Sequence, residues 1–210
     1  MTGIVAQNVG RTSGLIKAAS GGTSTGAWTL IKTLTACSSA TLSFVDGASD
    51  VVLDSTYPIY VFKFINLHPS ASASFTFNLS IDSGSNYNVT KTSSHFRAYH
   101  SEDDSGGVLA YDTGFDLAQS TAFQDVTGDS LGTDSDIGVS GTMSLFNPSS
   151  TTFVKHFQVN LNLAKGNTES KNSYTSGYGN TTSAVDAVQF KMDSGNIDSG
   201  KIKLYGLGDS

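Results

Sequence analysis

Histidine and carboxylate chemistry has few places to start in this chain. His68, His95, His100 and His156 are its four histidines. None shows the short paired spacing by which two imidazoles on one element hold zinc. His156 falls on the polar side of an alternating stretch, beside Gln158 and Asn160, where an exposed or interface imidazole is expected. In His95-Phe96-Arg97-Ala98-Tyr99-His100, the residues His95, Arg97 and Tyr99 share one face if the stretch is extended, and Glu102-Asp103-Asp104 follows. A general acid–base pair can be built from such groups. The expected role is a polar outer face or a subunit contact.

The acidic loops suggest calcium. Asp129, Asp134 and Asp136 lie within Gly128-Asp129-Ser130-Leu131-Gly132-Thr133-Asp134-Ser135-Asp136, and hard cations take carboxylates and loop carbonyls. The EF-hand order fails because no Glu follows at the required position, and Glu102-Asp103-Asp104 reads as a solvated loop. Serines are abundant, but the glycines flank turns rather than the strand-to-helix bend of a nucleophile elbow. No phosphate loop of the Gly-Lys-Ser type is present. Glycosidases need two carboxylates across a cleft, and Asp is too plentiful in turns to nominate a pair. The expectation is therefore a non-enzymatic chain with no catalytic residue, no cofactor and no metal. The aromatic residues are the remaining candidates. Tyr57, Tyr60, Tyr87, Tyr99, Tyr111, Tyr174 and Tyr178 fall in or beside loops and strand ends, where rings pack in cores, anchor interfaces or stack on sugars.

The elements that would position these groups are strands. Of 210 residues only 14% are charged and 22 are Gly, and residues that favour strands and turns outweigh helix formers. One all-β domain is expected at this length. Twelve basic against eighteen acidic residues leave a net charge of −6, which disfavours nucleic acid as a partner. The lone Cys37 excludes an intrachain disulfide and is expected as a small residue at a strand end, by the burial habit of free Cys. No apolar run approaches the roughly 20 residues of a spanning helix, and Met1-Thr2-Gly3-Ile4-Val5-Ala6 lacks the basic and apolar regions of a signal peptide. Without an export signal, the glycosylation-type triplets at Asn78, Asn88 and Asn180 read as chance.

Ser74 to Asp82 alternates without a break, with Phe75, Phe77, Leu79 and Ile81 on one face and Thr76, Asn78 and Ser80 on the other. Phe153 to Leu163 does the same, with Phe153, Phe157, Val159, Leu161 and Leu163 on one side and Lys155 the exception. Period two over that length predicts half-buried strands. Further strands are predicted at Trp28 to Ala36, Ala40 to Val45, Ile59 to Leu67, His95 to His100, Ile137 to Phe146, Ala184 to Met192 and Lys201 to Tyr205. Weaker patterns run Val51 to Asp54, Val108 to Tyr111 and Tyr174 to Tyr178. Asp-Gly and Asp-Ser-Gly turns punctuate them. The predicted fold is an all-β, two-sheet antiparallel sandwich, jelly-roll-like, over residues 27–210. Residues 1–26 read as an extended N-terminal arm with apolar pairs Ile4-Val5 and Leu15-Ile16 and the charges Arg11 and Lys17. These six residues are the candidates for anchoring the chain to a larger particle.

Trp28-Thr29-Leu30-Ile31-Lys32-Thr33-Leu34, Phe96-Arg97-Ala98-Tyr99-His100, Leu145-Phe146-Asn147-Pro148-Ser149-Ser150, Phe153-Val154-Lys155-His156-Phe157 and the closing Gly200-Lys201-Ile202-Lys203-Leu204-Tyr205-Gly206 resemble uncharacterised virion structural proteins of tailed marine and cyanobacterial phages. The resemblance covers most of the chain, including Arg11 to Lys17, and supplies no catalytic residues. It implies a virion component made in the host cytoplasm without a signal peptide, often a homotrimer. Its partners would be itself and other capsid or tail proteins. No heptad stretch or repeat supplies a fibre shaft, so a compact knob is expected, as head decoration or a short spike. The alternatives are a tail-side receptor-binding tip that contacts host surface glycans, or a carbohydrate-binding or carbohydrate-active module. Neither nucleic-acid binding nor membrane insertion is expected.

Overall fold

The computed structural model describes residues 28–166 and 168–208. The six candidate anchoring residues Ile4, Val5, Arg11, Leu15, Ile16 and Lys17 lie outside that range. The described residues form strands β1 (Trp28–Thr35), β2 (Leu42–Val45), β3 (Ile59–Pro69), β4 (Phe75–Ser80), β5 (Lys91–Ser101), β6 (Gly107–Tyr111), β7 (Gln124–Asp125), β8 (Val139–Phe146), β9 (Lys155–Lys165), β10 (Glu169–Gly179), β11 (Ala187–Met192) and β12 (Ile197–Leu207). They build two antiparallel sheets. The larger has the order β1-β12-β3-β8-β9-β10-β5-β6, and the smaller β2-β11-β4-β7. The two sheets pack as a sandwich, the all-β architecture that strand alternation predicts.

Alternation decides which side of each strand meets the other sheet. In β9 the burial pattern is strictly alternate: Phe157, Val159, Leu161 and Leu163 point inward, and His156, Gln158, Asn160 and Asn162 outward. The centre of the sandwich is aromatic. Phe190 of β11 contacts Phe44, Phe62, Phe64, Phe75 and Phe77, mostly edge to face, with ring centroids 5.2–6.4 Å apart. Edge-to-face pairs add about 0.5–1.5 kcal/mol beyond the area they bury. Phe190 therefore ties β2, β3 and β4 to β11 through one side chain.

Several expectations are corrected. β4 is buried on both faces: Thr76, Asn78 and Ser80 are sealed as completely as Phe75, Phe77 and Leu79, while Ile81 is exposed. Loops provide the second cover, since Asn78 Nδ2 donates to the carbonyls of Tyr87 and Thr121. Phe153 lies outside β9 at 67% exposure, while Lys155 is on the strand's apolar side, as alternation places it, and is fully buried. Val51 to Asp54 forms no strand, though Val51 and Leu53 enter the core. Cys37 follows β1 as expected but is exposed. β10 is longer than its apolar residues suggested, and β7 has no sequence signal.

The sheets differ in width, eight strands against four. The connection between β6 and β8 closes the difference. Its backbone pairs Lys91 with Ser120, Phe75 with Val126 and Ala73 with Leu131, so it lies across the inner faces of β5 and β10 and adds β7 to the edge of β4.

Phe190→Ala removes the shared ring of the core and should cost about 3–5 kcal/mol. Phe153→Ala, at an exposed ring, should cost less than about 0.5 kcal/mol. Urea unfolding of the two variants beside the parent measures both.

Candidate binding face

The inner side of β5 and β10 is polar, and most of its polar groups are paired within the fold, though His95 Nε2 is buried with no hydrogen-bond partner among the described residues. Lys171 Nζ donates to Gly128 O at 2.7 Å, and Ser173 Oγ to Thr127 O at 2.6 Å. Gln124 Nε2 donates to the carbonyls of Phe115 and Asp125, and Ser93 Oγ donates to Gln124 Oε1. A connection with little regular structure brings unpaired backbone carbonyls into the interior, and buried side-chain donors must meet them. Lys91 reaches Asn78 Oδ1 and Val89 O, and Lys155 reaches the carbonyls of Phe153 and Thr181.

His95 belongs to this inner layer. It is fully buried, which corrects the expected polar outer face. Its Nδ1 lies 2.8 Å from Thr175 Oγ1, and its ring rests against Phe115. Gly128, at φ +60°, lies over the other side of the imidazole, where a Cβ would collide with the ring. Arg97 forms an ion pair with Asp112 at 3.1 Å. The outward residues of β5 include Ser94, Phe96, Ala98 and His100.

Burial governs the protonation of this layer. It pushes the Lys91 ammonium down to about 7. Lys171 falls to about 8, chiefly by burial and partly offset by the Asp129 carboxylate. Lys155 is lowered by burial as well. Burial, with the Lys171 charge, lowers His95 to about 4, so its imidazole is neutral at physiological pH. Burial alone would raise Asp129, but the hydrogen bond from Lys165 and the nearby Lys171 bring its carboxyl below the ordinary value. Among the acids expected as calcium candidates, Asp129 is thus spent on lysines. No group of three potential ligands that could hold a metal occurs among the described residues.

An open depression at one end is lined by Ser101, Glu102, Asp103, Ser105, Thr168 and Glu169. Hydrogen bonds from Ser105 hold the Asp103 carboxyl below the ordinary value, the wrong direction for a general acid.

The outer face of the large sheet is of another kind. Register aligns Tyr111, Phe96, Tyr174, Asn160, Thr142 and Lys63 in one row across β6, β5, β10, β9, β8 and β3. The next row runs Ser94, Ser176, Gln158, Ser144 and Val61, and a third places Tyr178 beside His156. Phe96 and Tyr174 stack in parallel, 4.8 Å apart. Tyr178 and His156 meet at 6.2 Å. Between these pairs lie two adjoining shallow depressions of about 280 and 340 Å³, which share Gln158 and Ser176. Beyond Thr142, the Lys63 ammonium sits 4.4 Å from the Trp28 ring, which also packs on Tyr205.

Sequence alternation had placed His156, Gln158 and Asn160 on one polar face, and the structure does so. It had not joined them to Phe96 and Tyr174, because cross-strand register cannot be read from one strand. No protein-family model, curated protein or solved structure matches the chain. What the geometry defines is the class: a two-sheet β-sandwich with a sealed polar interior and an open outer face of amides, hydroxyls and rings.

The lysine shifts set a pH dependence. Between the folded values of about 7 and 8 and the ordinary 10.5, the unfolded chain holds protons that the folded chain does not. Stability therefore rises with pH through that window. Above about pH 10 the buried Tyr60 phenol, whose pKa is raised by burial, opposes the rise. The melting temperature should increase from pH 7 to pH 9.5 by more than about 4 °C. In Lys91→Met the increase should be visibly smaller. A flat profile in the parent protein would show that these ammonium groups reach water.

Proposed function

We propose that the chain is a non-enzymatic structural protein of a tailed-phage virion, a homotrimeric surface knob held to the particle by residues 1–26. Its resemblance to phage virion proteins motivates the setting. The observation that carries the assembly reading is the state of the large sheet's edges. The edge strand β6 exposes Leu109 at 75%, Tyr111 at 56% and Val108 at 41%, with no charge or proline to blunt it. At the opposite edge, β1 exposes Trp28 and Leu30. Unpaired sheet edges with exposed apolar side chains invite pairing with another chain, and a closed ring of copies would cover them. β1 follows directly on the proposed arm, so the anchor and one open edge adjoin in the sequence.

The non-enzymatic reading is supported by where the perturbed groups lie. His95, Lys91 and Lys171 are enclosed, and Lys91 and Lys171 are committed to carbonyl oxygens. Among the described residues, no Asp, Glu, Lys or Arg lines the outer depressions. Head decoration or a short spike is the first placement. The ring-walled outer face favours a second, a tail-side tip that contacts host glycans.

Light scattering of the full chain should give a trimer. Leu109→Lys should reduce the mass about threefold toward the monomer, with an unchanged circular dichroism spectrum. Mass spectrometry of purified particles should find the chain, and symmetry-averaged electron microscopy of the head should place it. Absence from the particle, or a monomeric parent protein, overturns the reading.

A further inference from the structure

We infer that the outer face of the eight-stranded sheet is a binding groove for a neutral polysaccharide. It rests on the reading of the chain as a surface-displayed virion protein and names what that surface would recognise. The groove floor is formed by Thr142, Ser144, Gln158 and Asn160. Among the described residues, these four side chains make no hydrogen bond to the protein. By contrast, the neighbouring Asn162 is held by Asn172 and Ser140 by Asn66. The free amides and hydroxyls offer donors and acceptors together, the pattern that matches sugar hydroxyls, which are also both.

The walls are rings. The stacked Phe96–Tyr174 pair stands at one side and Tyr178 with His156 at the other, and Phe96 is 41% exposed. A pyranose presents an apolar C–H face that packs on such rings. The two depressions follow one another along the strands: one is lined by Thr142, Asn160 and Tyr174, the next by Phe146, His156 and Tyr178, and they share Gln158 and Ser176. Four residues of β10 separate Tyr174 from Tyr178, about 13 Å of extended chain. That length suits an extended chain more than a compact ligand.

Charge selects among the candidates. Among the described residues, no Asp, Glu, Lys or Arg lines either depression, and the whole protein carries −6. An anionic glycan or a nucleic acid would find no cation on the groove floor. Lys63, the cation nearest the row's end, lies against Trp28 and Tyr205. A protein partner would be expected to find an apolar centre with a polar rim, and here the centre is amides and hydroxyls. A neutral sugar polymer is the occupant whose chemistry matches floor, walls and charge together.

Affinity electrophoresis of the full chain tests this in gels cast with dextran, mannan, β-glucan or galactan, with alginate and heparin as anionic controls. At least one neutral polymer should retard the parent protein. Tyr174→Ala, and the double variant Gln158→Ala with Asn160→Ala, should each weaken that retardation about tenfold. Tyr174→Phe should retain most of it, and Lys203→Ala, away from the floor, all of it. Melting curves identify any variant that fails to fold. The proposal fails if no neutral polymer retards the parent protein, if only the anionic polymers do, or if the groove variants behave as the parent. It also fails if Tyr174→Ala dissociates the trimer in light scattering, which would assign the face to a second copy. Particle mass spectrometry separates the two readings. A virion protein that binds no neutral polymer defeats this inference alone. Binding by a chain missing from particles defeats only the virion assignment.

Discussion

The unequal width of the two sheets is the constraint on which the rest depends. Four strands cannot cover eight, so the inner faces of β5 and β10 must be closed by a connection with little regular structure. Such a connection brings backbone carbonyls into the interior with no strand to pair them, and an unpaired buried carbonyl is costly. The fold answers with polar side chains on the strands: Lys171 for Gly128 O, Ser173 for Thr127 O and Gln124 for Phe115 O. The buried lysines and the neutral His95 are consequences of sheet geometry. Their cost is the burial of groups that would be charged in water.

That origin explains which parts of the structure were legible in the sequence. Alternation is readable where inward positions are apolar. β9 and β4 declared themselves through Phe157, Val159 and Leu161 and through Phe75, Phe77 and Leu79. β10 did so only weakly, over Tyr174 to Tyr178, because its inward positions are Lys171, Ser173 and Thr175 and its outward ones include Tyr174 and Tyr178. A polar-in, aromatic-out strand carries the alternation with its usual meaning reversed. The same reversal put His95 and Arg97 on the wrong side of β5 and made Lys155 look like a break in the pattern of β9. The acids of Gly128 to Asp136 could be read as loop residues, but the assignment of Asp129 to Lys165 depends on a contact across the fold.

The outer face was half legible for a related reason. His156, Gln158 and Asn160 sit on one strand, and period two is enough to group them. The grouping of Phe96 with Tyr174, and of Asn160 with Thr142, is a property of register between strands far apart in sequence. Register follows from the burial of the opposite face, so the inner packing decides which outer residues become neighbours.

The two faces of β10 are therefore mechanically linked. Tyr174 lies between Ser173 and Thr175, both fully buried. Ser173 is held by Thr127 O, and Thr175 by the imidazole of His95 from the adjacent strand. His95 and Phe96 are successive residues of β5, so one contact on the inside fixes the strand pair that stacks Phe96 on Tyr174 outside. Rigid elements locked by packing hold binding side chains more closely than loops do. A ring wall carried on two strands that are paired on both sides, each pinned from beneath by a buried hydrogen bond, has little conformational entropy left to lose on contact with a ligand. The same arrangement couples the face to the interior. Protonation of His95 would place a second positive charge near Lys171, on the inner side of the strands that carry the ring wall. The polar interior thus supports the outer face as well as closing the sandwich beneath it.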